Sequence, residues 1–150
     1  RQVVGIVGDG AFLMTAMESL TAVNNELPVA WFVFNDGELS QIAQAQAMPY
    51  QRTTCTTLQT LDYERFAAAT GCAFVAIGGD DEVEEGVARA IALLQENRPV
   101  IVDVRIDYSK KTRFTIGTVK THLRRFDTRN KLRIVSRALW RKMKTRKSRS

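Results

Sequence analysis

Histidine occurs once in this 150-residue chain and cysteine twice, and no apolar run is long enough to cross a bilayer. Each scarcity excludes something. Two cysteines, Cys55 and Cys72, cannot build a disulfide framework, and neither has a Cys or His at zinc-ligand spacing, so both read as ordinary thiols. The single histidine, His122, stands in a basic segment and reads as a surface residue rather than a catalytic base. With no spanning run and no leader-like segment before the first strand, the expectation is a cytoplasmic protein. Cations are scarce in residues 1–109, which hold 6 Lys and Arg against 15 Asp and Glu; in the remainder Asp127 stands alone against 16 basic residues. The net charge of +6 therefore describes neither part. A boundary is expected near Tyr108 to Lys111, separating residues 1–107 from a basic extension, 108–150.

What is present reads as alternating strands and helices, and 45% hydrophobic composition suits a modest soluble core. Val3 to Val7 is expected as a buried parallel strand. A helix from Phe12 to Asn25 follows, with Leu13, Met17, Leu20 and Val23/Asn24 near its packed side. Pro28 introduces a second strand, Val29 to Phe34. Leu39 to Ala47 reads as a helix broken at Met48-Pro49-Tyr50, and Gln51 to Thr60 as a Thr-rich loop. Asp62 is placed to cap a helix ending before Gly71, and Phe74 to Ile77 forms a third strand. Asp81 to Asn97 is expected as an amphipathic helix with Val83, Val87, Ile91 and Leu94 on one face. Pro99 to Ile106 is the fourth strand. This alternation predicts an α/β fold with a doubly wound parallel sheet.

Two of the strands end in acidic turns. Gly8-Asp9-Gly10 follows the first, Asn35-Asp36-Gly37-Glu38 ends the second, and Asp9 and Asp36 are 27 positions apart. In such folds ligands bind where strands deliver their carboxyl ends, so the two carboxylates are expected to meet. A hard cation such as Mg2+ takes oxygen ligands and commonly joins one or two carboxylates to cofactor phosphates. Gly8 and Gly10 permit close approach of a phosphate, and Gly10 and Ala11 open a helix whose free N–H groups attract anions. Either turn alone is ordinary punctuation; together they point to diphosphate plus metal. The acidic run Asp80, Asp81, Glu82, Glu84 and Glu85 reads instead as a solvated helix start, and Gly78-Gly79 as a turn.

The segment GDGAFLMTAMESLTAVNNELPVAWFVFNDGEL resembles the signature of the thiamine diphosphate-dependent enzymes, specifically the diphosphate-binding domain of the acetolactate synthase and pyruvate oxidase group. Thr15, Glu18 and Leu20, then Leu27-Pro28-Val29, and Ile42, Gln44 and Gln46 extend the similarity over roughly residues 3 to 107. The resemblance implies a metal held by Asp9, Asp36 and the backbone carbonyl of Glu38, and a diphosphate held by the amides of Gly10 and Ala11. The implied cofactor-binding set is Gly8, Asp9, Gly10, Ala11, Asn35, Asp36 and Glu38, with thiamine diphosphate and Mg2+ as cofactors. It also implies a 2-keto acid substrate in decarboxylation or carboligation, a homodimer or homotetramer, and Gln41, Ile42 and Ala45 as substrate-pocket candidates.

No position here matches the activating glutamate, which in the family lies in a separate N-terminal domain of a partner subunit, so the chain alone is expected to be inactive. Two departures stand out: Asp36 replaces the usual Asn and adds a negative charge at the metal, and Ala45 replaces a bulky Trp of many biosynthetic acetolactate synthases. The alternative is a non-catalytic binding or regulatory module that has kept the fold.

In the extension, Lys131 to Lys144 has helical order, with Leu132, Val135, Leu139 and Met143 on one stripe and Arg133, Arg137, Arg141 and Lys144 on another. Such a helix docks on the acidic part or a neighbouring subunit in the favoured reading, and lies on an anionic membrane surface in the second. Nucleic acid ranks last, because no reading motif accompanies the charge. Thr145 to Ser150 reads as disordered.

Overall fold

The computed structural model describes residues 1–50, 52–59 and 61–107, together with 124, 127–129, 132 and 136. In chain order the described elements are β1 (Val3–Gly8), α1 (Asp9–Thr15), a 3-10 turn (Ala16–Glu18), α2 (Ser19–Asn24), β2 (Val29–Asn35), α3 (Ser40–Tyr50), α4 (Tyr63–Thr70), β3 (Ala73–Ile77), a second 3-10 turn (Asp80–Glu82), α5 (Val83–Gln95) and β4 (Val100–Arg105). They fall into two compact units, residues 1–38 with 58–107, and residues 39–57 with 108–150.

The first unit is a four-stranded sheet in the order β1-β2-β4-β3, every pair parallel. Side chains alternate across a strand, so β4 sends Val100, Val102 and Val104 to one face and Ile101 and Asp103 to the other. On the first face they pack with Ala30, Val75 and Ile77 under Ala90 and Leu94 of α5. On the second, Ile101 and Val33 pack with Phe12 and Ala16, and with Tyr63 and Ala67 of α4. Helices therefore cover both faces, as the alternation predicts for a doubly wound α/β sheet. Both expected signals at α4 are present: the Asp62 carboxylate accepts from the Arg65 N–H at 3.0 Å, and Gly71 ends the helix at φ +83°. Such a cap stabilises by about 1 kcal/mol.

The helix faces differ from expectation in part: Val23 and Leu94 pack against the sheet as expected, and others do not. The helix after β1 is interrupted by a 3-10 turn, and its buried residues are Asp9, Phe12, Ala16, Ser19 and Ala22. Leu13 and Leu20 are exposed, and Met17 is 63% exposed. On α5 the buried residues are Gly86, Ala90 and Leu94, while Val83 and Ile91 face outward. The reason is proximity: a Cβ on Gly86 would stand 2.5 Å from Cγ1 of Ile77, so only small residues fit against the sheet there. β1 is likewise less buried than expected, with Val3, Val4 and Ile6 exposed, because among the described strands it pairs with β2 alone.

In the second unit, α3 runs through Tyr50 instead of breaking at Met48-Pro49-Tyr50. A proline near a helix end removes a single intrahelical donor, which the last turn tolerates. The Gln46 side chain ties the following loop down, accepting from the Thr54 N–H at 2.7 Å and donating to the Thr54 carbonyl at 3.2 Å. Leu132 and Ser136 are helical. The rest of the amphipathic reading over 131–144, His122 and the Thr145 to Ser150 tail lie outside the described residues. Among the described residues no helix is long and apolar enough to cross a membrane.

Candidate functional site

β1 and β2 are neighbours and parallel, with Gly8 opposite Phe34 in register, so the turns after them leave the same edge of the sheet side by side. Gly8 is extended at φ −76° and ψ 157°, and α1 begins directly at Asp9, earlier than expected. Asp9 is only 5% exposed. Its Oδ2 accepts from the Gly37 N–H at 2.9 Å and its Oδ1 from its neighbour's, the Gly10 N–H, at 2.6 Å. One carboxylate thus joins the two loops. Burying it costs free energy unless its oxygens are bonded, and backbone amides meet that requirement here.

The second loop is built to present oxygen. Asp36 Oδ1 accepts from the Glu38 N–H at 3.3 Å, closing a tight turn. Gly37 sits at φ +70°, a left-handed conformation that favours glycine, and its carbonyl accepts from the Leu58 N–H at 2.9 Å. Asn35, at the end of β2, donates through Nδ2 to Asp103 Oδ1 at 3.0 Å, and its carbonyl accepts from the Ile106 N–H at 3.0 Å.

Beyond the ends of β2, β3 and β4 opens a cavity of about 400 Å³, bounded by Asn35, Tyr63, Gly78, Asp103 and Arg105 among others. Tyr63, 3% exposed, stacks obliquely on Phe12 at 5.8 Å between ring centroids. Burial first, then the charges of Asp9 and Asp103, push its hydroxyl above the ordinary tyrosine range and keep it protonated.

Among the described residues no group of three or more His, Cys, Asp and Glu side chains gathers as a metal site. The donors on offer are of another kind: the carboxylates of Asp9 and Asp36 and loop carbonyls, all oxygen, which is what a hard cation shared with phosphates takes. The space also fits, because a Cβ at Gly8 or at Gly37 would meet nothing within 4 Å. The family model described as thiamine pyrophosphate enzyme, C-terminal TPP binding domain, matches residues 1–104.

The chain belongs to that family.

Acetolactate synthase of Bacillus subtilis (strain 168) is 32% identical over 109 residues, which are 73% of this chain and 19% of the relative. The acetolactate synthase isozyme 3 large subunit of Escherichia coli (strain K12) is 36% identical over 110 residues, 72% of this chain and 19% of the relative. A putative thiamine pyrophosphate-containing protein of Bacillus subtilis, YdaP, is 31% identical over 106 residues, 71% of this chain and 18% of the relative. This TPP binding domain thus spans about a fifth of the length of these relatives.

Of the residues singled out in the sequence, the structure brings Asp9, Gly10, Asp36, Gly37 and Glu38 together through hydrogen bonds between and within the two loops. Gln41, Ile42 and Ala45 are exposed on α3, in the other compact unit. Sequence reasoning missed Tyr63 and Asp103. A carboxylate inside the apolar strand Val100–Arg105 was the available signal for Asp103.

Proposed function

We propose that this domain holds the diphosphate of thiamine diphosphate, with Mg2+, in an acetolactate synthase-like enzyme acting on a 2-keto acid. The observation that carries this reading is the Gly37 N–H to Asp9 bond, because it ties both acidic loops into one oxygen-rich edge within a chain of this family. Asp9, Asp36 and the Glu38 carbonyl would hold the metal, and the amides of Gly10 and Ala11 the diphosphate. Gly8 leaves room for the phosphates to approach. Bound thiamine diphosphate supplies a thiazolium carbon that adds to a keto group and stores the electrons released on decarboxylation. The chain's own part is to anchor and orient; no residue in it is assigned to proton transfer.

Asp36 sets the balance of charge. A second carboxylate strengthens attraction for the divalent ion and repels the diphosphate, so metal affinity is expected to be high and cofactor affinity strongly metal-dependent. Gln41, Ile42 and Ala45 are the candidates for contact with the substrate, and Ala45 in place of the bulky Trp argues against the branched-chain amino-acid enzyme itself, leaving a related decarboxylase, carboligase or oxidase. The full-length protein is taken to be a homodimer or homotetramer, inactive without the activating glutamate of a separate domain. Isothermal calorimetry with thiamine diphosphate and Mg2+ on the full-length protein tests the reading: binding heat that disappears in Asp9→Ala is expected. Absence of heat in the wild-type protein would overturn it and leave the non-catalytic module.

A further inference from the structure

Asp103 is a half-buried carboxylate inside a mostly apolar strand. It lies between Val102 and Val104 on β4, an inner strand, in register with Val33 on β2 and Ala76 on β3. Half-buried and bordering the cavity, its carboxylate accepts from Asn35, 68 residues away in sequence. Asn35 faces Arg105 across the β2–β4 ladder, so its side chain reaches back diagonally to meet Asp103 at 3.0 Å. The Asn35 carbonyl is held by the Ile106 N–H at 3.0 Å. The side chain of the residue immediately before Asp36 is therefore fastened to β4, and its backbone to the residue that follows β4. A turn that presents donors to a metal needs its first residue fixed, since rotation there would swing Asp36 and the Glu38 carbonyl together.

We infer that Asp103 is a positioning residue for the metal-binding turn: its hydrogen bond to Asn35 sets the direction in which Asp36, Gly37 and Glu38 leave the sheet. This rests on the proposed metal site for its functional meaning, though the anchoring itself does not. It also assigns Asn35 a role different from direct cofactor contact, because its Nδ2 is turned toward β4.

The test uses the full-length protein, amide hydrogen exchange without metal, and Mn2+ titration followed by electron paramagnetic resonance. In Asp103→Ala, exchange at Gly37 and Glu38 is expected to quicken about tenfold while the β3 and β4 amides keep their protection. Mn2+ affinity should fall about tenfold. Asp103→Asn, whose side-chain oxygen still accepts from Asn35, should stay within about threefold of wild type in both readouts. Asn35→Ala removes the same bond from the other side and should reproduce the loop exchange of Asp103→Ala, which keeps the test open if the latter does not fold. Unchanged exchange at Gly37 and Glu38 in either alanine variant overturns the inference, as does Asp103→Asn losing as much as Asp103→Ala. A wild-type protein that takes up no Mn2+ would instead overturn the metal site, with exchange still deciding the role of Asp103.

Discussion

Asp9 and the acidic run from Asp80 to Glu85 follow β1 and β3 at the same edge of one sheet, and share little else. Asp9 is nearly enclosed, with both oxygens accepting backbone N–H groups, one of them from another loop. Asp80, Asp81, Glu82, Glu84 and Glu85 are all exposed, and Glu82 accepts from the nearby Gly78 N–H at 2.7 Å. Five carboxylates in the open ease a helix start; one carboxylate shut between two loops organises a site. The count of charges says little here, and the surroundings of a single charge say much.

That contrast can be broken or sharpened by substitution. The largest effect is expected for Asp9→Ala, which strips acceptors from the Gly10 and Gly37 N–H groups: about 1–3 kcal/mol lost in chemical denaturation, together with loss of cofactor heat in calorimetry. If Asp81→Ala weakened cofactor binding as much, the contrast would be wrong. Gly86→Ala forces a Cβ against Ile77 and should cost about 1–3 kcal/mol in thermal unfolding. Because α5 lies on the face opposite α1 and α4, retained cofactor affinity in that variant would separate scaffold from site.

Asp62 is an acid of a third kind, a helix cap. Asp62→Ala should lose about 1 kcal/mol by denaturant titration. Most of that belongs to the cap, since the exposed Arg65 pair at 3.2 Å contributes little.

Tyr63 extends the comparison to pH. Its folded pKa lies above the ordinary value of 10.0, so the stabilisation of the neutral hydroxyl is full below that pH. It is lost as pH climbs from there toward the folded value. Denaturation at pH 9 and pH 11 should show a steeper alkaline decline in wild type than in Tyr63→Phe, and equal slopes would show that burial does not hold this hydroxyl neutral. The smallest effect is expected for Asp81→Ala, within about 0.5 kcal/mol by thermal melt.

Much of the fold was legible because its signals are local. The four strands stand within a residue or two of their expected limits, and α4 begins and ends where Asp62 and Gly71 announce it. The two loops were legible for the same reason, each being turn chemistry at the end of an apolar run. The helix faces were legible only in part, at Val23 and Leu94. Leu13, Met17, Val83 and Ile91 looked like core by size, yet close approach to the sheet selects Ala16, Gly86 and Ala90 instead. Size patterns along a helix report hydrophobicity, whereas the side that meets a sheet is chosen by available space.

From the sequence alone came the element types, the charge division near residue 108 and the family, because these rest on neighbouring residues and a continuous motif. The strand order β1-β2-β4-β3, the Gly37 bond to Asp9 and the Asn35 bond to Asp103 were decided only by tertiary structure. Each depends on which strands become neighbours and in what register. That is settled by burying two faces of one sheet at once, and no local stretch of chain carries that information.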